Sequence, residues 1–172
     1  MAVTAAYTGT FDPLTEGHSN LIERVAGMFD NVLVAVASAT GKETLFSHQE
    51  RVEMARASLI EIPNVKVHGY TGMTVEFARK HNVTVLVRGL RSVADFEYEV
   101  QMDAMNKYLA KDVDTIYLTP PEHLRHVSSS LVRQVASLGG DVSPFVHRLV
   151  EAELRKRLEA KKGPPTESGE SF

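Results

Sequence analysis

Tyr7-Thr8-Gly9-Thr10-Phe11-Asp12-Pro13-Leu14-Thr15-Glu16-Gly17-His18 is the stretch on which the reading of the fold turns. Ahead of it, Val3 to Tyr7 reads as a short buried strand. Behind it, Leu21, Ile22, Val25, Met28 and Phe29 recur on one face of a helix. The order is strand, tight glycine-bearing loop, then a helix whose first turn carries a histidine. Free backbone N–H groups and the positive end of the helix dipole make such a junction a site for anions. Gly9 and Gly17 allow close backbone approach to a ligand. Thr10 and Thr15 add hydroxyls, and His18 adds a ring N–H. An ordinary strand–helix turn with a surface histidine remains the alternative, because one glycine loop is a weak signal by itself.

Outward from this stretch the chain alternates. Strands are expected at Val32–Ala37, Val65–His68, Val83–Val87 and Thr115–Leu118. Helices are expected after Ser47-His48-Gln49-Glu50, a capping box, and over Thr74–His81 and Asp95–Leu109. Two more follow, one from the Ser128-Ser129-Ser130 run to Leu138 and one over about Pro144–Ala160. In the last helix, Glu151–Arg155 and Glu153–Arg157 are spaced for i,i+4 pairs. The expected fold is α/β: one Rossmann-like domain over residues 1–160, a five-stranded parallel sheet with helices on both faces. Residues 161–172, rich in Pro, Ser and Glu from Gly163 on, read as a disordered tail.

Composition narrows the function. At 172 residues and 43% hydrophobic content, the chain suits one well-buried domain. A net charge of −3 argues against a general nucleic-acid or membrane-surface binder. No cysteine means no disulfide, thiolate metal site or cysteine nucleophile. No signal-peptide pattern and no apolar run near the roughly 18 residues of a spanning helix point to the cytoplasm.

Ligands of a parallel sheet bind at the carboxyl ends of its strands. The loops there gather Thr10, His18, Lys42, Arg88, Arg91 and the serine run. Three cations, a histidine and a hydroxyl-rich helix start describe a polyphosphate pocket. Each member also has a plainer reading: Lys42 as a solvated loop lysine, Arg88 and Arg91 as ion pairs with Glu99 or Asp95, and the serines as an N-cap cluster. His123 and His126 form an H-x-x-H without carboxylate support, a weak case for zinc. The Tyr98, Met102, Met105 and Leu109 stripe reads as packing, in part against a ligand or another subunit.

Three ordered runs resemble a known family. Thr15-Glu16-Gly17-His18 is similar to the T/H-x-G-H motif of the α/β nucleotidyltransferases. With Gly9-Thr10-Phe11-Asp12-Pro13 before it, it resembles the form found in the bacterial phosphopantetheine adenylyltransferase family. Arg88-Gly89-Leu90-Arg91-Ser92-Val93-Ala94-Asp95-Phe96-Glu97-Tyr98-Glu99 resembles that family's second signature, and Val127-Ser128-Ser129-Ser130-Leu131-Val132-Arg133 its third. Met105-Asn106-Lys107 and Gly139-Gly140-Asp141-Val142 also match in place, so the likeness covers about residues 3 to 158.

The resemblance implies an adenylyltransferase moving AMP from ATP to 4′-phosphopantetheine, giving dephospho-coenzyme A and pyrophosphate. It implies catalytic roles for His18, Lys42 and Arg91, and a phosphopantetheine site of Thr10, Lys42, Thr74, Arg88 and Asn106. The implied ATP site comprises Thr10, Phe11, His18, Gly89, Leu90, Arg91, Glu99, Leu124, Arg125, His126, Val127, Ser128, Ser129 and Ser130. Mg²⁺ is implied as the cofactor, held through ATP phosphates and water rather than by protein side chains. A homohexamer and feedback inhibition by coenzyme A are likewise implied, with no nucleic-acid or membrane partner.

There are departures. Thr8 stands where the family usually has proline, a change expected to loosen the loop entry. Leu124-Arg125-His126, Gln134 and Tyr70-Thr71-Gly72-Met73-Thr74 also differ from the usual pattern. Two other readings stand beside this one: a sister enzyme such as a nicotinate mononucleotide adenylyltransferase, and a non-enzymatic nucleotide-sensing module.

Overall fold

The alternating pattern folds as expected in a computed structural model that describes residues 2–38 and 43–162. Strands β1 (Thr4–Gly9), β2 (Asn31–Ala37), β3 (Val65–Tyr70), β4 (Val85–Gly89) and β5 (Asp114–Leu118) form one parallel sheet in the order β3-β2-β1-β4-β5. Successive side chains of a strand face opposite ways, and the core divides accordingly. Tyr7, Val32, Val34, Val36 and Val87 face α1 (Glu16–Ala26) and α2 (His48–Ser58). Ala6, Leu33, Ala35 and Leu86 face α3 (Thr74–Lys80) and the chain just beyond α4 (Val93–Leu109), at Ala110 and Val113. A third cluster binds α5 (Ser129–Ser137) and α6 (Arg148–Lys162) to α2 through Met54, Val132, Val150 and Leu154.

Several local readings shift. Leu21, Ile22 and Val25 are buried, whereas Met28 lies past the end of α1 and is 56% exposed. β3 and β4 each run two residues further than the hydrophobic pattern reaches, which puts Arg88 and Gly89 inside the sheet. Ser47 and Glu50 do form the capping box of α2. Glu151 and Arg155 pair within α6 at 2.8 Å, but Arg157 leaves its helix to bond Glu50 and the Leu45 carbonyl. α6 continues two residues past the expected boundary at 160, and the remaining residues of the expected tail, 163–172, lie outside the described residues. No helix among the described residues is long and apolar enough to cross a membrane.

The strand order reverses direction of growth at β1, so the β1–β4 gap is the topological switch point where a crevice opens. The loop entering this crevice is anchored from below by Arg51 of α2, which is 2% exposed. Its guanidinium donates to the carbonyls of Thr10, of Ala37 at 2.8 Å and of Phe46 at 3.3 Å. Asp12, 4% exposed, accepts the backbone N–H groups of Leu45 at 2.9 Å and Phe46 at 3.0 Å and pairs with Arg133 at 3.2 Å. Replacing Arg51 by Met strands three carbonyl oxygens, each costing about 1–3 kcal/mol if left unpaired. Urea denaturation of Arg51→Met should therefore show a loss of about 3 kcal/mol or more. A loss below about 0.5 kcal/mol would mean that water replaces the guanidinium without penalty.

Candidate active site

Two helices point their N-termini into the crevice, and the sequence explains why. Thr15 caps α1, and His18, three residues on, takes the place that Glu or Gln holds in a common capping box. The Thr15 backbone N–H donates to His18 Nδ1 at 3.1 Å, and the Thr15 hydroxyl lies 2.9 Å from the same nitrogen. A backbone amide can only donate, so Nδ1 is an acceptor and the ring proton resides on Nε2, turned away from Thr15. Phe11 stands edge-on to the imidazole, with centroids 5.2 Å apart, and fixes its plane. Phe11 itself has φ of 48°, a left-handed conformation unusual outside glycine and concentrated at functional loops.

Desolvation lowers the His18 pKa to about 4, and the positive charge of Arg91 adds to the shift. The ring is therefore neutral at pH 7 and offers an Nε2–H donor without a charge of its own. Burial drives the Tyr7 hydroxyl in the opposite direction, well above its usual range, so it too stays protonated.

α5 supplies the second N-terminus. The Ser128 hydroxyl accepts the Leu131 N–H at 3.1 Å, and the Ser129 hydroxyl donates to the Pro13 carbonyl at 2.8 Å. The plainer reading of the serine run as an N-cap cluster thus describes the Ser128 hydroxyl, whereas the Ser129 hydroxyl fastens the helix to the glycine loop. The Ser129 and Ser130 backbone N–H groups, in the first turn and without intrahelical partners, belong to residues that line the crevice.

The cavity enclosed here is about 270 Å³. Thr10, Phe11, His18, Arg88, Gly89, Arg91, Glu99, Leu124, Val127 and the three serines all line it. Tyr7, Thr8 and Pro120 also line it, although sequence motifs singled out only Thr8, and that for another reason. Arg91 is lightly held, its Nε 3.6 Å from Asp95. Arg88 is firmly held: Nε and Nη2 bond both oxygens of Glu99, at 2.7 and 2.6 Å. Thr74 and Asn106 line an adjoining recess of about 40 Å³, which shares Thr8, Arg88 and Glu99 with the main cavity. Three expected members stand outside both cavities. The Leu90 N–H bonds the Leu118 carbonyl, Arg125 ends a short 3-10 turn at Glu122–Leu124, and the His126 ring packs edge-on to Phe145. Lys42 lies outside the described residues.

Among the described residues, no group of three or more His, Asp or Glu side chains could hold a metal ion. Glu99, the carboxylate at the cavity wall, is occupied by Arg88. A divalent ion bound through the oxygens of a polyphosphate ligand and water suits this donor set better than one in a protein cage.

Known proteins give this geometry a class and then a family. The family model described as cytidylyltransferase-like matches residues 6–135, which places the chain among the nucleotidyltransferase-type α/β domains. Two solved structures share the fold over nearly their whole length. The Plasmodium falciparum nicotinic acid mononucleotide adenylyltransferase complexed with NaAD has a TM-score of 0.69 at 13% identity, covering 94% of this chain and 97% of its own. A putative nicotinate-nucleotide adenylyltransferase from Vibrio parahaemolyticus has a TM-score of 0.66 at 17% identity, covering 90% and 99%. Curated relatives are far more similar. The phosphopantetheine adenylyltransferase of Janthinobacterium sp. (strain Marseille) is 47% identical over 158 residues, 92% of this chain and 98% of its own. That of Burkholderia vietnamiensis is 48% identical over 162 residues, 94% and 98%. The chain belongs to the phosphopantetheine adenylyltransferase family.

An NMR titration of the His18 ring in the ligand-free protein should give a pKa well below 5. Because this folded-state value is below that of an unfolded histidine, near 6.5, His18 contributes stability that is complete above pH ~6.5 and lost as pH falls toward 4. A ring titrating near 6.5 would show that solvent reaches it freely.

The glycines should separate by function. A Cβ on Gly9 would meet the Phe11 ring at 2.9 Å, whereas one on Gly17 meets only ordinary contacts, 3.6 Å or more away. Gly9→Ala should cost about 1–3 kcal/mol of stability through overpacking. Gly17→Ala should keep its melting temperature, since alanine favours a helix, yet bind ATP more weakly because the methyl group enters the cavity wall. Equal melting losses in both would refute the distinction.

Proposed function

We propose that the cavity at the β1–β4 switch point carries out adenylyl transfer from ATP to 4′-phosphopantetheine, giving dephospho-coenzyme A and pyrophosphate. The observation carrying this reading is the convergence of the His18 Nε2–H, Arg91 and the N-termini of α1 and α5 on one cavity. A phosphate oxygen of the acceptor attacks the α-phosphorus of ATP in line. The bond from the acceptor oxygen to the α-phosphorus forms as the bond from the α-phosphorus to the bridging α,β-oxygen breaks, and pyrophosphate leaves with the electron pair. The acceptor phosphate is already anionic, so no side chain need remove a proton from it, and catalysis rests on position and charge.

His18 donates from Nε2 to an α-phosphate oxygen as charge builds there. A neutral donor gains more from that growing charge than from the ground-state phosphate, which directs its interaction to the transition state. Arg91 and the Ser129 and Ser130 amides hold the β- and γ-phosphates. Leu124, Val127, Phe11 and Gly89 shape the nucleotide side beside Leu90, and Arg125 and His126 join if the Glu122–Ser128 segment closes on the base. Thr10 and Arg88 meet the acceptor phosphate together with Lys42, and Thr74 and Asn106 receive the pantetheine arm in the adjoining recess. Mg²⁺, when bound to the ATP oxygens, neutralises charge on the polyphosphate.

Coenzyme A, which shares the pantetheine arm, competes for the same recess in this reading. α4 buries none of its residues and exposes Val93, Phe96, Met105 and Tyr108, which supports assembly into a hexamer through this helix. The site of action is the cytoplasm, and residues 1–160 act as one catalytic domain.

Pyrophosphate release should be followed with ATP, Mg²⁺ and either 4′-phosphopantetheine, nicotinate mononucleotide or no acceptor. Release is expected with phosphopantetheine alone, and His18→Ala should lose about 10²–10³-fold in kcat, the scale of one transition-state donor. Release with nicotinate mononucleotide would move the chain to a sister activity. Tight ATP binding without release on any acceptor would leave a sensing module, and near-normal kcat in His18→Ala would remove His18 from the mechanism.

A further inference from the structure

The surroundings of Thr8 differ from the loosened loop entry expected of a threonine at this position. It remains within β1, in parallel register with Ala35 of β2, and is 6% exposed. Arg88, across the switch point on β4, donates from Nη1 to the Thr8 carbonyl at 2.9 Å and to the Thr8 hydroxyl at 2.6 Å. Its Nε and Nη2 meanwhile form the fork with Glu99 of α4.

A guanidinium has five N–H groups in one rigid plane. Here Nε–H and one Nη2–H go to Glu99, and both Nη1–H groups go to Thr8. Among the described residues one Nη2–H is left to meet a ligand, and the plane it lies in is fixed from both sides. A proline at position 8 retains the carbonyl acceptor but has no hydroxyl. The side-chain half of this grip is therefore a property of threonine in this chain.

We propose that Thr8 is a positioning residue for the acceptor: its hydroxyl locks the Arg88 guanidinium so that its remaining N–H and its charge face the acceptor phosphate. Thr8 lines both the main cavity and the recess, so the lock sits at the seam between the phosphate and the pantetheine arm. This inference rests on the reading of Arg88 as an acceptor-phosphate ligand. Preorganised charge binds without the cost of ordering a long side chain at the moment of binding. Loss of the hydroxyl frees one Nη1–H and lets the guanidinium turn about its Glu99 fork, which weakens acceptor binding and leaves the ATP side untouched.

The test is steady-state kinetics of the intact protein with ATP and 4′-phosphopantetheine varied separately. Thr8→Val keeps the β-branched shape and removes the hydroxyl, Thr8→Ser restores it, and Thr8→Pro removes both hydroxyl and N–H. Thr8→Val and Thr8→Pro should raise the KM for phosphopantetheine about three- to tenfold, a fraction of one hydrogen bond to a charged group. The KM for ATP and kcat should move less than about twofold, and Thr8→Ser should return the acceptor KM to the parent value. Arg88→Lys is run alongside. If it raises the acceptor KM while Thr8→Val does not, the positioning role is wrong and the Arg88 reading stands. If Arg88→Lys leaves the acceptor KM unchanged, the reading of Arg88 falls first. Equal rises in both KM values for Thr8→Val, or no recovery in Thr8→Ser, would reduce Thr8 to a packing residue.

Discussion

The site depends on a buried charge that has to be satisfied by backbone. Arg51 sits between α2 and the sheet with almost no solvent contact, and its guanidinium finds the carbonyls of Thr10, Ala37 and Phe46. A buried cation with incomplete partners is expensive, so those three carbonyls cannot drift. They belong to the glycine loop, the exit of β2 and the segment leading into α2. Asp12 repeats the device with opposite sign, accepting two amides and pairing with Arg133 of α5. The loop between β1 and α1 is therefore held from three sides before any ligand arrives.

That rigidity decides the electrostatics of His18. Thr15 is set by the loop, and Thr15 in turn sets the ring's tautomer and plane through Nδ1. Removing water from the ring and placing Arg91 nearby keep the imidazole neutral. A charged imidazolium would bind ground-state polyphosphate strongly, whereas a neutral donor responds to charge that develops during the reaction. Local capping geometry thus sets a donor at the site: the residue that satisfies the start of α1 also lines the cavity with its proton on Nε2.

Much of this was legible in the residues. The strand–loop–helix order, the capping box at Ser47, the alternation of apolar runs and the three motif stretches placed the sheet and nearly all of the cavity wall. What escaped reading did so for physical reasons. Arg51 lies in an unremarkable polar stretch of α2, and its importance comes from carbonyls 5, 14 and 41 residues away. Arg88 admitted both an ion pair and a phosphate contact; it forms the pair with Glu99 at the wall of the same cavity. Thr8 read as a looser substitute for proline because a hydroxyl's partner cannot be known from sequence neighbours. The apolar stripe of α4 gave a period but no direction, and the helix leaves it uncovered within one chain.

The sequence by itself determined the elements, their parallel sheet, the glycine-bearing strand–helix junction at Gly9–His18 and the family to which they belong. These are properties of neighbouring residues: periodicity, capping and motif spacing act within a few turns of chain. Only the tertiary structure decided which donors remain free. It assigned the ring proton to His18 Nε2, turned the Ser128 and Ser129 hydroxyls inward to the protein, and divided Arg88 between Thr8 and Glu99. Hydrogen-bond capacity is shared among groups that meet in space, and those meetings span up to 121 residues of chain, as between Arg133 and Asp12.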